Sequence, residues 1–336
     1  MEYYIYSLQF QTPVHFGNTS DGGTLETVDL AFSADSLFSA LCNESASSPA
    51  FLQQFIGAVK EGRMRFSSLF PYVAGSGADG QWQYYLPRPI QMQEKSVATR
   101  SFTETKQEAT KRKAMKKINY VRASLLESGK HLWETDAALD LPDFGQYVTA
   151  GKLNRRVEPG RPYFVSSYLF APHAGLYFVA AFADASWLDS FEQLITQLGY
   201  SGIGGERTNG FGKFTLARKP LAVGDPACRD ADVQALAEML RTQKAATYMN
   251  ISAVVPTPGE LPVVAAGTYK LRKRGGFVSS PRLTNYTKRN SYYTLIEGSC
   301  FPSPLTGRML EFSVPGVPHR IYRNGFGLFV GVGHDG

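Results

Sequence analysis

An α+β fold is what this sequence predicts, on three observations. Strand-type alternation opens the chain and returns near residues 163–182, helix-period apolar stripes lie in separate segments, and glycine and proline punctuate the joins. With 336 residues and 43% apolar content the chain can bury more than one core, so two domains are expected. A charged share of 19% against 13% aromatic excludes a disordered chain.

The elements follow in order. Tyr4, Tyr6, Leu8 and Phe10 alternate with Ile5, Ser7 and Gln9 as a first strand, and a glycine-bounded loop from Gly17 to Gly23 follows. Ser33 is a helix N-cap, Asp35 lies in the first turn where the macrodipole favours a carboxylate, and Leu37, Phe38 and Leu41 form the apolar stripe. A helix over Ala50–Lys60 leads into a strand over Arg63–Val73. Residues 86–160 interrupt the pattern as an insertion, with a basic helical stretch near Glu104–Lys117. Tyr163–Phe170 and Leu176–Phe182 are expected to pair as a hairpin about Pro172–Gly175. A helix follows on Trp187, Leu188, Phe191, Leu194, Ile195 and Leu198, with Gly199 as its C-cap. Phe211–Ala217 closes the unit. The order β-α-β-(insert)-β-α-β is that of a ferredoxin-like split βαβ domain spanning 1–219. Residues 220–336 then hold a linker helix over Ala231–Lys244 and strands at Tyr248–Val255, Tyr292–Ile296, Arg308–Phe312 and Phe326–Val332. They are expected to form a second, degenerate ferredoxin-like domain.

Several function classes fall away on composition. Cys42, Cys228 and Cys300 lie far apart with no C-x-x-C pair, so neither a disulfide framework nor a thiolate zinc site is encoded, and a reducing cytoplasm is expected. No run reaches the roughly 18 apolar residues of a membrane span, and Met1–Phe10 has no secretory signature. The net charge of +6 points to an acidic partner only if it is concentrated.

It is concentrated. From Lys95 to Arg122 nine basic residues, among them Lys111, Arg112, Lys113, Lys116 and Lys117, face two acidic ones, and this net +7 exceeds that of the whole chain. A second cluster, Lys270, Arg272, Lys273, Arg274, Arg282, Lys288 and Arg289, lies in the span Leu261–Ile296, which contains no acidic residue. Tyr269, Phe277, Tyr286, Tyr292 and Tyr293 are interleaved with it. Cations for phosphates and rings for base stacking are what single-stranded nucleic acid requires.

Gly199, Gly202, Gly204, Gly205, Gly210 and Gly212 crowd one loop. It is not a Walker A loop, because Lys213 is followed by Phe214 rather than Ser or Thr. Nor is it a dinucleotide fingerprint, because Arg207 takes the third glycine position and the order is helix-loop-strand. A packed turn, or backbone amides offered to phosphate beside Arg207 and Lys213, remain as readings. His15 is a candidate general base for metal-independent RNA cleavage, and Asp21, Glu26 and Asp29 are candidate metal ligands. No further residue completes a catalytic set, and no cofactor is implied.

Gly202-Ile-Gly204-Gly205-x-Arg207-x-x-Gly210-x-Gly212, between a helix and the last strand of such a unit, resembles the G-rich loop of RAMP proteins of CRISPR systems. Phe10–Gly17, Ala34–Leu41, the basic insertion, Glu297-Gly298-Ser299 and Pro318–Gly325 are similar to the fourth Csm subunit of type III-A effectors. That resemblance implies two RRM-like domains and a thumb-like role for the insertion. RAMP proteins include guide-processing ribonucleases, but His15 lacks the residues that would complete a catalytic set, so a non-catalytic subunit is expected. The resemblance also implies that the chain holds the crRNA 5′ tag, touches a large Cas10-type subunit and backbone RAMP subunits, and meets target RNA indirectly. His15, Ser36, Gly202, Gly204, Gly205, Arg207, Gly210 and Gly212 would line the guide's path.

Overall fold

Alternation in the first strand has its cause in a sheet covered on both faces. The fold, given by a computed structural model, is described for residues 1–17, 25–75, 80–90, 113, 117–127, 142–154, 159–278, 288–317 and 319–333. The chain runs β1 (Glu2–Phe10), α1 (Ala34–Glu44), α2 (Pro49–Lys60), β2 (Met64–Phe66), β3 (Phe70–Val73), β4 (Gln83–Pro87), β5 (Tyr120–Arg122), α3 (Ala123–Glu127), β6 (Gly145–Asn154), β7 (Arg161–Phe170), β8 (Ala174–Phe182), α4 (Leu188–Ser201), β9 (Phe214–Leu216) and β10 (Leu221–Ala222). It continues through α5 (Ala231–Arg241), β11 (Thr247–Asn250), α6 (Leu261–Ala265), β12 (Leu271–Arg274), β13 (Tyr292–Leu295), β14 (Cys300–Phe301), β15 (Leu310–Phe312), β16 (Ile321–Arg323) and β17 (Phe329–Val332).

The main sheet is antiparallel in the order β10-β1-β8-β3-β4-β5, with β9 also on β1 and β2 also on β8. On one face Tyr6, Leu8, Leu176 and Phe178 pack against Leu37 and Phe38 of α1, Phe55 and Val59 of α2, and Phe191 and Ile195 of α4. On the other, Ile5, Tyr177 and Val179 meet Val233 and Leu236 of α5, together with Met249 and Val330 of the C-terminal strands and Ile251 just after β11. Every residue of the central strand β8 is therefore buried, which is why it reads as an unbroken apolar run. Covered in this way, the main sheet presents, among the described residues, no open face of the kind an RRM uses.

The N-cap expectation holds in geometry, since Ser33 Oγ accepts from the Ser36 amide at 3.3 Å. Three expectations are corrected. Tyr163–Phe170 does not pair with Leu176–Phe182; β7 pairs with β6 from Gly145↔Phe170 to Asn154↔Arg161, because both edges of β8 are taken, one by β1 and the other by β2 and β3. Arg63–Val73 is two strands on the same neighbour: the register moves from Phe66↔Ala180 to Phe70↔Tyr177, one extra residue, and so a bulge. Helix α4 runs past Gly199 to Ser201, and Gly202 (φ 76°) caps it. Inside the helix, position 199 requires glycine because a side chain there would collide with the Phe214 carbonyl of β9.

Residues expected as a linker pack on the first sheet. β10 pairs with β1, and α5 covers the sheet with Asp232, which is fully buried and accepts from the amides of Tyr84 and Ser124 at 3.0 Å and from Arg122 Nε at 3.2 Å. The C-terminal half holds a three-stranded sheet, β14-β11-β17, and the ribbons β12-β13 and β15-β16. Among the described residues no helix is long and apolar enough to cross a membrane.

Candidate nucleic-acid interface

The glycine-rich loop is shaped first by its own chain. The amides of Gly202, Gly205, Gly210 and Gly212 donate to the carbonyls of Leu198 (2.7 Å), His15 (2.8 Å), Arg207 (2.9 Å) and Pro13 (2.8 Å). These N–H groups, which in sequence are candidates for phosphate, are thus spent on a turn clamped to residues 13–15. Gly212 (φ 75°) requires glycine doubly, since the left-handed backbone is costly for other residues and a Cβ would overlap the Ile203 carbonyl. At Gly204 a Cβ would stand 2.6 Å from the His15 carbonyl. What the loop turns outward is side chain: Arg207 and Lys213 are exposed, while Glu206 is held by Lys152 and Asn209, both at 2.7 Å. The hydrogen bond from Lys152, reinforced by Asn209 against a smaller burial penalty, holds the Glu206 carboxyl below its ordinary range.

His15 is 5% exposed. Its Nδ1 lies 2.7 Å from the Ser166 carbonyl, and since a carbonyl only accepts, Nδ1 carries the proton. Its ring lies against Gly205, whose absent Cβ would stand 2.7 Å from Cδ2, so His15 couples the glycine loop to β7. Ser36 is half-buried in the first turn of α1, where its Oγ accepts from Ser33 Oγ at 3.0 Å.

The residue before Ser36 does more than complement a helix dipole. Asp35 is fully buried and accepts from Arg323 Nη2, from the Tyr292 hydroxyl at 2.5 Å and from the Asn324 amide at 3.1 Å. Arg323 also donates to Ser39 Oγ at 2.6 Å and to the Tyr292 oxygen at 3.1 Å. Burial opposes its charge, yet Asp35 and Tyr292 overcome this and raise its pKa. Burial first, then Asp35, push the Tyr292 phenol up to about 12, so it stays a donor. This cluster rivets α1 to β13 and β16 across the molecule. Sequence reasoning missed it, and the available signal was a carboxylate between Ala34 and Leu37 in a buried stripe.

The ribbon β12-β13 bears the C-terminal cations, and its two faces differ. Arg272 and Arg274 lie across from Thr294 and Tyr292, on the side turned to the N-terminal unit: Arg272 pairs with Asp29 at 3.2 Å, and Arg274 is buried beside Thr294. Arg289 is likewise buried. Lys270, Lys273 and Lys288 are exposed, as are Tyr269, Leu271, Phe277 (62%) and Tyr293 (58%), so cations and rings share the outer face. Arg282 lies outside the described residues. So do Lys111, Arg112 and Lys116 of the insertion, whose Lys113 and Lys117 are helical and exposed. Asp21 also falls outside, and Asp29 is committed to Arg272.

Asp29 is where these elements meet. Its amide donates to the Phe16 carbonyl at 2.8 Å, next to His15 and the glycine loop, and its carboxylate holds the ribbon. Tyr120, just after the basic helical stretch of the insertion, is within electrostatic reach of Glu297, Asp29 and Arg272. Burial foremost, then the two carboxylates, raise its pKa. Insertion base, glycine-loop support and C-terminal ribbon therefore converge on one seam.

Mixed α/β structure with antiparallel sheets and a glycine-rich turn before the strand that returns to β1 gives the chain a RAMP-like fold. The profile described as CRISPR Csm4 C-terminal domain matches residues 243–332. Proteins named CRISPR system Cms protein Csm4 from two strains of Mycobacterium tuberculosis are each 31% identical over 330 residues, covering 94% of this chain and 93% of theirs. The Streptococcus thermophilus protein of the same name is 26% identical over 339 residues, covering 98% of each chain. The fold is similar to a chain of the Csm3-Csm4 subcomplex in the type III-A CRISPR-Cas interference complex, with a TM-score of 0.62 at 16% identity over 98% of this chain and 99% of that one. It is also similar to a chain of the Csm1-Csm4 cassette in complex with pppApA, with a TM-score of 0.58 at 18% identity over the whole of both. This chain belongs to the Csm4 family of CRISPR proteins.

Proposed function

We propose that this protein is a non-catalytic RNA-binding subunit of a type III-A CRISPR interference complex, holding the crRNA 5′ tag and bridging the large Cas10-type subunit to the backbone RAMP subunits. Family membership supports its place in such a complex, and the solved relatives found with Csm1 and with Csm3 support the two protein partners. In this reading the chain is two ferredoxin-like units. The first is supported by the order β9-β1-β8-β3 with helices joining first to second and third to fourth strands. The second is represented by the smaller β14-β11-β17 sheet.

The observation that carries the RNA contact is the convergence at Asp29 of the glycine-loop support, the insertion base and the cation-bearing ribbon. Exposed Arg207 and Lys213, the insertion lysines Lys113 and Lys117, and the aromatic and cationic outer face of the ribbon are the groups offered to the strand. Buried His15 and half-buried Ser36 act from beneath, by fixing the turn and the start of α1.

The test is co-purification followed by titration. Tagged chain expressed with its natural companions should carry a short RNA and a large cyclase-like protein. RNA affinity should fall with salt by about 0.7 log units per phosphate neutralised, and charge reversal at Lys111, Lys113, Lys116 and Lys117 should shrink that slope. A complex without oligoribonucleotide that also ignores RNA at low ionic strength overturns the reading. A discrete product from repeat RNA without metal, lost in His15→Ala, overturns its non-catalytic half.

A further inference from the structure

Two arginines at the C-terminal ribbon are buried with a guanidinium nitrogen that no group among the described residues answers. Arg274 and Arg289 are each 8% exposed, and among the described residues Arg274 Nη2 and Arg289 Nη1 have no hydrogen-bond partner. Arg274 Nε donates to Thr294 Oγ1 at 3.4 Å, but its Nη2 stands 4.0 Å from Glu297 Oε1, beyond hydrogen-bond reach, and that oxygen already accepts from Ser68. Arg289 Nη2 donates to the Gly275 carbonyl at 2.8 Å, and its guanidinium lies 5.2 Å from the centre of the Tyr292 ring. Tyr292 is also the cross-strand partner of Arg274, so the two arginines meet at one tyrosine.

The charges here do not balance. Arg274, Arg289 and Arg323 face Asp35 and Glu297, and Asp35 is already taken by Arg323, Tyr292 and Asn324. Arg289 is left without an ion-pair partner among the described residues. Burial, and then repulsion from Arg323, hold its pKa below the ordinary value. A water molecule would answer the free N–H groups but not the charge. A tetrahedral oxyanion answers both, because its oxygens accept from two guanidinium forks together. The backbone beside them is open at Gly276, where an added Cβ would find no atom of the described residues within 4 Å, and exposed Lys288 is paired with Phe277 next to it.

We propose that Arg274 and Arg289 form a phosphate seat at Tyr292, filled by one phosphate-type oxyanion. Only the source of that group, a backbone phosphate of RNA rather than free phosphate, rests on the RNA-binding reading.

The experiment uses the full chain with inorganic phosphate as probe. Thermal unfolding in phosphate is compared with chloride at matched ionic strength and pH, alongside amide hydrogen exchange. Phosphate should raise the midpoint above chloride and slow exchange in residues 274–278 and 288–292. Arg289→Gln and Arg274→Gln should each weaken phosphate binding at least about tenfold, as loss of a charge-assisted fork implies, whereas Lys219→Gln should not. Should a glutamine variant fail to fold, Arg289→Lys serves. It keeps the charge but cannot hold the Gly275 carbonyl and an anion with one fork, so binding should still fall several-fold. If phosphate and chloride act alike, or the ribbon amides ignore phosphate, the seat is refuted.

A single-stranded oligoribonucleotide then distinguishes the sources. Displacement of phosphate with protection of the same amides assigns the seat to the RNA backbone. RNA binding that leaves bound phosphate in place assigns it to free phosphate. RNA binding in a chain that shows no phosphate effect and no ribbon protection refutes the seat and spares the RNA reading. Phosphate protection without RNA binding does the reverse.

Discussion

Asp35→Ala should be the most damaging single substitution at the seam between the two halves. The carboxylate is fully buried and serves three donors, one of them the guanidinium of Arg323. Removing it strands that charge in a low-dielectric setting, and breaking a buried pair from one side costs about 3–5 kcal/mol. Against a total stability of about 5–15 kcal/mol this is a large fraction, corresponding to a fall in midpoint on the order of 10 °C. Asp35→Asn keeps the acceptor but loses the charge and should fall between. The decisive comparison is with Arg323→Met. Once the cation is gone the carboxylate has less to do, so the double variant Asp35→Ala/Arg323→Met should be more stable than the sum of the single losses by about 2–3 kcal/mol. Urea unfolding followed by tryptophan fluorescence and by far-UV circular dichroism measures all four proteins. A loss under about 1 kcal/mol for Asp35→Ala, or strict additivity in the cycle, would show that the cluster does not hold α1 to β13 and β16 as argued.

Three further outcomes are expected. Gly212→Ala should destabilise far more than Gly210→Ala in thermal unfolding: both have positive φ, costing about 1 kcal/mol, but only at Gly212 does a Cβ meet the Ile203 carbonyl, while at Gly210 nothing lies within 4 Å. Arg207→Glu with Lys213→Glu should lower RNA affinity and flatten its salt dependence by about 0.7 for each phosphate no longer neutralised, leaving the midpoint unchanged because both side chains are exposed. The Glu206–Lys152 link should depend on pH in one direction. Glu206 has a folded-state pKa below its ordinary 4.5, so its contribution is complete above that value and lost as pH falls through the lower, folded one. Exchange of the loop amides should rise over that acid range in the native chain, and in Lys152→Met the carboxyl should titrate nearer to 4.5.

Local pattern carried much of the architecture. Alternation in Glu2–Phe10, the Ser33 cap, the stripes of α1, α2 and α4 and the glycine-rich turn were all legible, because each depends on neighbours a few residues away. Charge asymmetry and the motif string were legible too, and the family match agrees with the resemblance the motif string carries. Partner choice was not. Nothing within Tyr163–Phe170 says that β8 has no edge to spare, so β7 was expected there and instead pairs with β6. The cations of the C-terminal ribbon look alike in one dimension, yet strand alternation sends Arg272 and Arg274 inward to Asp29 and Thr294 while Lys273 faces out. The loop glycines look like amides awaiting phosphate until the segment at Pro13–His15 arrives to accept from them. A string of residues specifies what each stretch is able to form through short-range sterics and periodicity. Which hydrogen bonds and charges remain for a ligand is decided only when distant segments have claimed theirs.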